Sequence, residues 1–363
     1  MNKVKLTGAE IIWECLLREH VNVVFGYPGG AILPTYDALS KYSDRIHHVL
    51  SRHEQGATHM ADGYARSSGK VGVALATSGP GAANMVTGLA TAMMDSVPIV
   101  CITGQVPRPA IGSDAFQEMD ISGAVIPVTK HSYLVMDIKD LARTIKEAFV
   151  IARSGRPGPV LVDIPKDLQA EEFDFIYPEE PILLPGDNPI KNDIDVKSLE
   201  EAAKLIANAE RPVILAGHGI LLSGASKEVI ELSEKGDIPL SWTLLGSGAV
   251  PASHDLNMGM MGMHGEFAAN NAIQKADLLI ACGMRFDDRV TGNTKTYSLN
   301  SKKIHIEIDP SEINKNVPVD IALVGDLKTV LRKLLPVLDK QSNSKWIDSI
   351  SKWHKESQSR DIR

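Results

Sequence analysis

Residues 71–94 read VGVALATSGPGAANMVTGLATAMM, a stretch without one charged side chain. By length alone it is long enough to cross a bilayer. Ser78-Gly79-Pro80-Gly81 and Asn84 interrupt it with turn formers, whose backbone groups lipid would leave unsatisfied. The reading that remains is a buried strand, a glycine turn and a buried helix. A strand buried on both faces belongs to a mostly parallel sheet covered by helices.

The same rhythm extends in both directions. Toward the N-terminus, Thr7-x-x-Glu10 has the form of a capping box, followed by Ile11, Ile12, Cys15 and Leu16 at helical spacing. Val21–Phe25 is a short β-branched run stopped by Gly26. Toward the C-terminus, strand-like runs recur at Val97–Thr103 and Pro159–Ile164, with helix-length segments between them. Residues 171–195 (EEFDFIYPEEPILLPGDNP and its flanks) are acidic, aperiodic and proline-containing, and read as a linker. A second series then begins, with helices at Leu199–Ala207 and Ala225–Glu234. Its strands fall at Val213–Ala216, Ala276–Cys282, Ile304–Ile308 and Ile321–Val324. The expected fold is α/β: two doubly wound, mostly parallel sheet domains, over 1–170 and 196–338.

The chain has 363 residues, 44% of them hydrophobic but only 5% aromatic, and a formal net charge of -7. That charge speaks against nucleic acid or an anionic membrane surface as a partner. Cys15, Cys101 and Cys282 lie far apart in apolar runs, as reduced core thiols of a cytoplasmic protein do. The N-terminus has no apolar segment of secretory type.

Several motifs have an ordinary reading. His53-Glu54 and His59 stand six apart, where a helical zinc site needs four, so the imidazoles fall on different faces. Gly217-His218-Gly219 follows a strand but lacks the third glycine of a dinucleotide loop, so a tight strand-to-helix turn is the default. Asp287-Asp288 reads as a solvated turn. The first domain is different. Gly26-Tyr27-Pro28-Gly29-Gly30 and Ser78-Gly79-Pro80-Gly81 each end a strand, where glycine lets a ligand approach the backbone. Between them, Arg52-His53-Glu54-Gln55-Gly56 sets a carboxylate directly after an apolar run; alone, it is equally well a helix N-terminal charge.

The run RHEQGATHMADGYARSSGKVGVALATSGPGAAN (52–84), followed by TGQVPRPAIGSDAFQEMD (103–120), closely resembles the pyrimidine-binding domain of the acetolactate (acetohydroxyacid) synthases. GRPGPVLVDIPKD (155–167), GMMGMHGEFAANNAIQKADLLIACGMRFDDRVTGN (259–293) and IHIEIDPSEINKN (304–316) resemble that family's later landmarks, in the family's order. HEQGA marks only the wider thiamine-diphosphate superfamily, whereas AIGSDAFQE with RFDDRVTG is specific to the biosynthetic synthases.

The resemblance implies a pyrimidine-binding domain (1–170), a Rossmann-like middle domain binding FAD (196–338), and 339–363 as a linker into a C-terminal domain. It implies a transferase of branched-chain amino-acid synthesis. Such an enzyme condenses pyruvate with pyruvate or 2-ketobutyrate, losing carbon dioxide, via hydroxyethyl-thiamine diphosphate. Glu54 matches the glutamate that bonds the cofactor's aminopyrimidine, where a carboxylate favours the imino tautomer that takes the thiazolium proton. Gly30, Thr77 and Asn84 match thiamine-diphosphate loop positions, and Phe116 and Gln117 match residues beside the reacting centre. Lys166 and Arg289 match cationic residues at the substrate entrance, where a keto acid's carboxylate needs an anchor. Arg156, His264, Gly265, Gly283, Arg285, Glu307, Asp309 and Asp326 match FAD contacts.

The family's magnesium ion and diphosphate are held by a GDG…N motif in the C-terminal domain. No GDG triplet occurs here, so the expectation is that no residue of this chain binds the metal and that the chain alone is inactive. The resemblance also implies a homodimer or tetramer and a small regulatory subunit as partners. A pyruvate oxidase of the same superfamily and a non-catalytic FAD-binding or regulatory fragment are the alternatives.

Overall fold

The computed structural model describes residues 4–182 and 194–360, and the chain divides into two compact units, Met1–Asp187 and Asn188–Arg363. In the first unit the strands are β1 (Val4–Thr7), β2 (Val23–Gly26), β3 (His47–Leu50), β4 (Gly72–Ala76), β5 (Ile99–Gln105), β6 (His131–Leu134), β7 (Val160–Pro165) and β8 (Glu172–Phe175). Six of them form a fully parallel sheet in the order β3-β2-β4-β5-β7-β6. Side chains alternate between its faces. Val73, Leu75, Val100 and Ile102 pack beneath helices Gly8–Arg18 and Ile138–Arg153, while Ala74, Ala76, Ile99 and Cys101 face helices Glu54–Ser68 and Val86–Asp95. The uncharged stretch 71–94 becomes β4, a four-residue helix Pro80–Ala83 and helix Val86–Asp95. No helix among the described residues is long and apolar enough to cross a membrane.

Helix Gly8–Arg18 starts as its sequence predicts. The Thr7 hydroxyl accepts from the Glu10 amide, and Glu10 Oε2 accepts from the Thr7 amide at 2.8 Å. One expectation needs correction. Residues 171–195 are not a linker throughout, because Glu172–Phe175 pairs antiparallel with Val4–Thr7 as a two-stranded ribbon. Its polar alternation hid it, since such a ribbon has one wet face. The part of that segment at 183–193 lies outside the described residues.

The second unit adds β9 (Pro212–Ala216), β10 (Leu240–Trp242), β11 (Asn257–Met260), β12 (Leu278–Cys282), β13 (Lys302–Glu307) and β14 (Ile321–Val324). They form a parallel sheet in the order β11-β10-β9-β12-β13-β14. Counting from β9, that is the 3-2-1-4-5-6 order of a Rossmann sheet. The segment after Leu338, expected as a linker, is helical at Ser344–Arg360. It packs on this unit: Trp346 and Ile350 are buried, Trp346 Nε1 donates to the Pro212 carbonyl at 3.1 Å, and Lys275 lies over the Trp353 ring. An apolar stripe at helical spacing is what docks it. All three cysteines are buried thiols, and burial pushes the Cys282 thiol up to about 12.

Candidate active site

Chain order reverses in the first sheet between β2 and β4: the chain runs from β2 to β3 and then crosses back to β4. Ligands of parallel sheets bind outside the strand C-termini at such a switch point. The loops there are the two glycine-rich turns. Thr77, the first residue after β4, joins them, its hydroxyl accepting from the Ala31 amide at 3.1 Å. Glycine is required on both sides. A Cβ on Gly29 would come within 2.5 Å of Thr77 Cγ2, and one on Gly81 within 2.7 Å of the same atom and 3.1 Å of Glu54 Oε1.

Glu54 is the first residue of helix Glu54–Ser68, after edge strand β3. His53 caps that helix, Nδ1 accepting from the Gln55 amide at 3.1 Å. The Glu54 side chain turns inward and the residue is 8% exposed; Oε2 accepts from Asn84 Nδ2 at 2.9 Å, and Oε1 lies against Gly81. A buried carboxylate with one amide donor, over a floor without side chains, is equipped to accept a hydrogen bond from a ligand that slides across the glycines.

Gln117 reaches the same place by backbone. Gly79 has φ 56°, and a Cβ there would lie 2.5 Å from the Gln117 carbonyl oxygen. Phe116 beside it is 88% exposed. The structure therefore brings Glu54, Thr77, Asn84 and Gln117 into one connected cluster, with Gly30 on the adjoining loop. Lys166 opens helix Lys166–Ala170 after β7, at the same sheet edge but two strands from β4.

Sequence reasoning missed the supports beneath the cluster. Gln169 is fully buried; Nε2 donates to the carbonyls of Ala31 and Ile164, both at 2.9 Å, and Oε1 accepts from the Thr35 hydroxyl at 3.0 Å. That network fixes the loop after β2 from below. No local pattern announces it, because Ala31 and Gln169 are far apart in sequence.

In the second unit the switch point lies between β9 and β12. Gly217 and Gly219 after β9 touch Gly283 after β12 so closely that a Cβ on Gly217 would sit 2.1 Å from the Gly283 carbonyl oxygen. The Gly219 amide donates to that oxygen at 3.0 Å. Gly217-His218-Gly219, read from sequence as an ordinary turn, is thus half of the switch-point crevice. Glu307 ends β13, is 7% exposed and accepts from the Ile308 amide at 2.9 Å. Asp309 and Asp326 cap the helical turns that follow β13 and β14. Gly283 and Arg285 follow β12. His264, exposed, and Gly265 follow β11, where the Met263 amide donates to the Arg289 carbonyl at 2.8 Å. These residues line the C-terminal edge of one sheet. Arg156 belongs to the first unit, where its Nε donates to the Ser96 hydroxyl at 2.8 Å.

Residues 6–124 match the family described as thiamine pyrophosphate enzyme, N-terminal TPP binding domain, and residues 199–334 match its central domain. The chain belongs to the thiamine pyrophosphate enzymes. It is 50% identical over 352 residues to a probable acetolactate synthase large subunit of Methanocaldococcus jannaschii, covering 95% of this chain and 59% of that protein. It is 48% identical over 349 residues to the acetolactate synthase large subunit of Corynebacterium glutamicum (95% and 55%). Against an acetolactate synthase of Mycobacterium bovis it is 52% identical over 334 residues (92% and 54%). The chain thus spans a little over half the length of these curated relatives.

The glycine floor and the inward carboxylate of Glu54 fit a flat heteroaromatic ring carrying an N–H.

Proposed function

We propose that this chain supplies the pyrimidine-binding and flavin-binding portions of an acetolactate synthase, which joins two 2-keto acids with loss of carbon dioxide. The buried Glu54 carboxylate at the β2/β4 switch point carries the proposal, and the names of the relatives support the choice of reaction. Thiamine diphosphate, when bound, supplies the electron sink that lets a 2-keto acid shed carbon dioxide and join a second one. Glu54 accepts a hydrogen bond from the aminopyrimidine ring and so holds a proton at N1′. Asn84 keeps that carboxylate in place, while Gly30 and Thr77 leave the ring its room. Gln117 and Phe116 face the reacting atoms; Lys166 in the first unit and Arg289 in the second are each a cation suited to a keto acid's carboxylate.

FAD belongs to the central unit, at the crevice of Gly217, Gly219 and Gly283. Glu307, Asp309 and Asp326 suit its hydroxyl groups, with His264, Gly265 and Arg285 as further contacts in the same unit; Arg156, in the first unit, is a cation of the kind a flavin diphosphate pairs with. The condensation moves no net electrons to an acceptor, so the flavin is structural. Magnesium is assigned to no residue of this chain. A homodimer with a small regulatory subunit, in the cytoplasm, completes the reading.

The test joins this chain to the remaining portion of the Corynebacterium glutamicum relative and supplies pyruvate, thiamine diphosphate, magnesium and FAD without an electron acceptor. Acetolactate should form from the joined protein and not from the chain by itself. Decarboxylation that waits for an electron acceptor would replace the reading with a pyruvate oxidase.

A further inference from the structure

Gln117 sits in a segment with no long helix or strand to hold it, and the backbone there is strained. Gly112, Asp114 and Gln117 all have positive φ (84°, 56° and 60°), which the two non-glycine residues adopt only at a cost. Two unrelated devices hold the segment. On the outside, the Glu118 carboxylate reaches back over its own loop: Oε1 accepts from the Gly112 amide and Oε2 from the Ala115 amide at 2.9 Å. On the inside, Gln105 at the end of β5 is buried and donates through Nε2 to the Met119 carbonyl and to Asp163 Oδ2, both at 2.8 Å. Gln105 Oε1 accepts from the Val106 amide, and Asp163 Oδ1 accepts from the Thr103 hydroxyl at 2.6 Å, so the Gln105 amide cannot turn over.

We propose that Glu118 and Gln105 are the positioning residues of the active-site loop, Glu118 setting its curvature and Gln105 tying its end to the sheet, so that Gln117 rests on Gly79. The proposal rests on the reading of Gln117 as a residue at the reacting centre. Its geometry has a functional consequence: Gly79 begins the turn that carries Gly81 and Asn84, the two neighbours of Glu54. Glu118 thereby acts on the site without touching it.

Amide hydrogen exchange on the purified chain, without cofactor, tests this. In Glu118→Gln the amides of Gly112 to Ala115 should exchange on the order of tenfold faster, with β4 and β5 unchanged. The pH profile separates positioning from general packing. Backbone amides hold the Glu118 carboxyl below its ordinary value of 4.5. Its bonds are therefore fully present above that pH and are lost as pH falls through the lower folded value. Protection of the loop, corrected for intrinsic exchange, should fall in acid in the wild type and stay flat in Glu118→Gln. The other carboxylates on the loop are Asp114 and Asp120, the latter bonded to the Gly123 amide; Arg108 is committed to Asp167 and Glu171. Gln105→Leu should release Met119 and leave the Gly112 and Ala115 amides protected. Glu118 lies at the surface, so its variant folds and decides the matter even where Gln105→Leu does not. Unchanged loop exchange in Glu118→Gln, or loss of protection spreading into β5, would overturn the proposal. Failure of the joined protein to make acetolactate would overturn the synthase reading instead and leave the exchange result standing.

Discussion

At the switch point of the first sheet the loops after β2 and β4 lie beside an inward carboxylate; at that of the second, the loops after β9 and β12 meet backbone to backbone through glycine. Both sheets are six-stranded and parallel; the second reverses direction once and the first twice, since β6 lies outside β7. The difference is in where the polar side chains are spent. In the first unit Glu54 has one side-chain donor, Asn84, and faces the crevice. In the second, Asp287, Asp309 and Asp326 already cap the helical turns that follow their strands. The first crevice thus leaves the Glu54 carboxylate with one side-chain donor, while at the second the carboxylates of Glu307, Asp309 and Asp326 accept backbone amides of their own loops.

The contrast breaks most directly at Glu54. In the joined protein Glu54→Gln should lower turnover by roughly 10²–10⁴-fold, the range of general acid–base groups, while the melting temperature of the chain holds. A glutamine keeps the packing and one acceptor oxygen and loses the charge. Near-normal turnover would leave the two crevices chemically alike and remove the central assignment.

The corresponding weak point of the second unit is Gly217. A methyl group there overlaps the Gly283 carbonyl oxygen and Met284 Cβ, so both loops must move, at a cost of roughly 3 kcal/mol. Thermal unfolding of Gly217→Ala should show the second unit melting earlier and the first unit unmoved. FAD at a hundredfold excess over its dissociation constant should stabilise the wild-type chain by about 2.7 kcal/mol and the variant far less. Equal stabilisation of both would move the flavin away from this crevice.

These two sites were not equally legible in the sequence. The uncharged run at 71–94 and the β-branched runs mark four strands of each sheet, because strands buried on both faces have nowhere to hide polar residues; β3, β6, β10 and β11 carry no such run. Glu54 is ambiguous as a lone residue, and its assignment is carried by the resemblance of the motifs around it. Gly217 reads from sequence as part of a tight strand-to-helix turn and no more, since a glycine's need is set by what lies opposite, and Gly283 is opposite only after the sheet forms. The ribbon strand Glu172–Phe175 reads as linker because its polar residues dominate, whereas Trp346, Ile350 and Trp353 at helix-like spacing already mark the helix Ser344–Arg360 within the segment expected as a linker. The Gln105–Asp163–Met119 network is illegible for the same reason as Gly217: its partners meet only across β5, β7 and the loop between β5 and β6.

That network gives the first unit a pH signature that the switch-point glycines of the second cannot share. Burial raises the Asp163 carboxyl from 3.8 to about 6, against the bonds from Thr103 and Gln105. A raised folded pKa means the group favours the fold below about 4, a contribution lost as pH rises through 6. Glu10, Asp137 and Asp167, whose carboxyls are held below their ordinary values, slope the other way. The difference in stability between wild type and Asp163→Asn isolates the one group. It should change by roughly 1–3 kcal/mol between pH 4 and pH 7, with the variant gaining relative to wild type as pH rises. A flat difference curve would mean that Asp163 is solvated in the folded chain.

The smallest effect is expected at Gly30, and it separates a glycine kept for its neighbours from one kept for a ligand. Gly29 and Gly81 are hemmed by Thr77, and Gly217 by Gly283, so substitution there acts on the fold. A Cβ on Gly30 meets nothing within 4 Å, and the residue is exposed on the loop after β2. Gly30→Ala should therefore leave the melting temperature of the chain almost unmoved, within the roughly 0.5 kcal/mol of ordinary surface changes. If the open space is where thiamine diphosphate lies, the added methyl group meets the cofactor instead of the protein. The joined protein should then need about tenfold more cofactor for half-maximal activity, with turnover at saturation retained, since Glu54 and Asn84 are undisturbed. A cofactor requirement equal to that of the wild type would place the ring elsewhere along the switch point, and the glycine at 30 would then have no role that the structure explains.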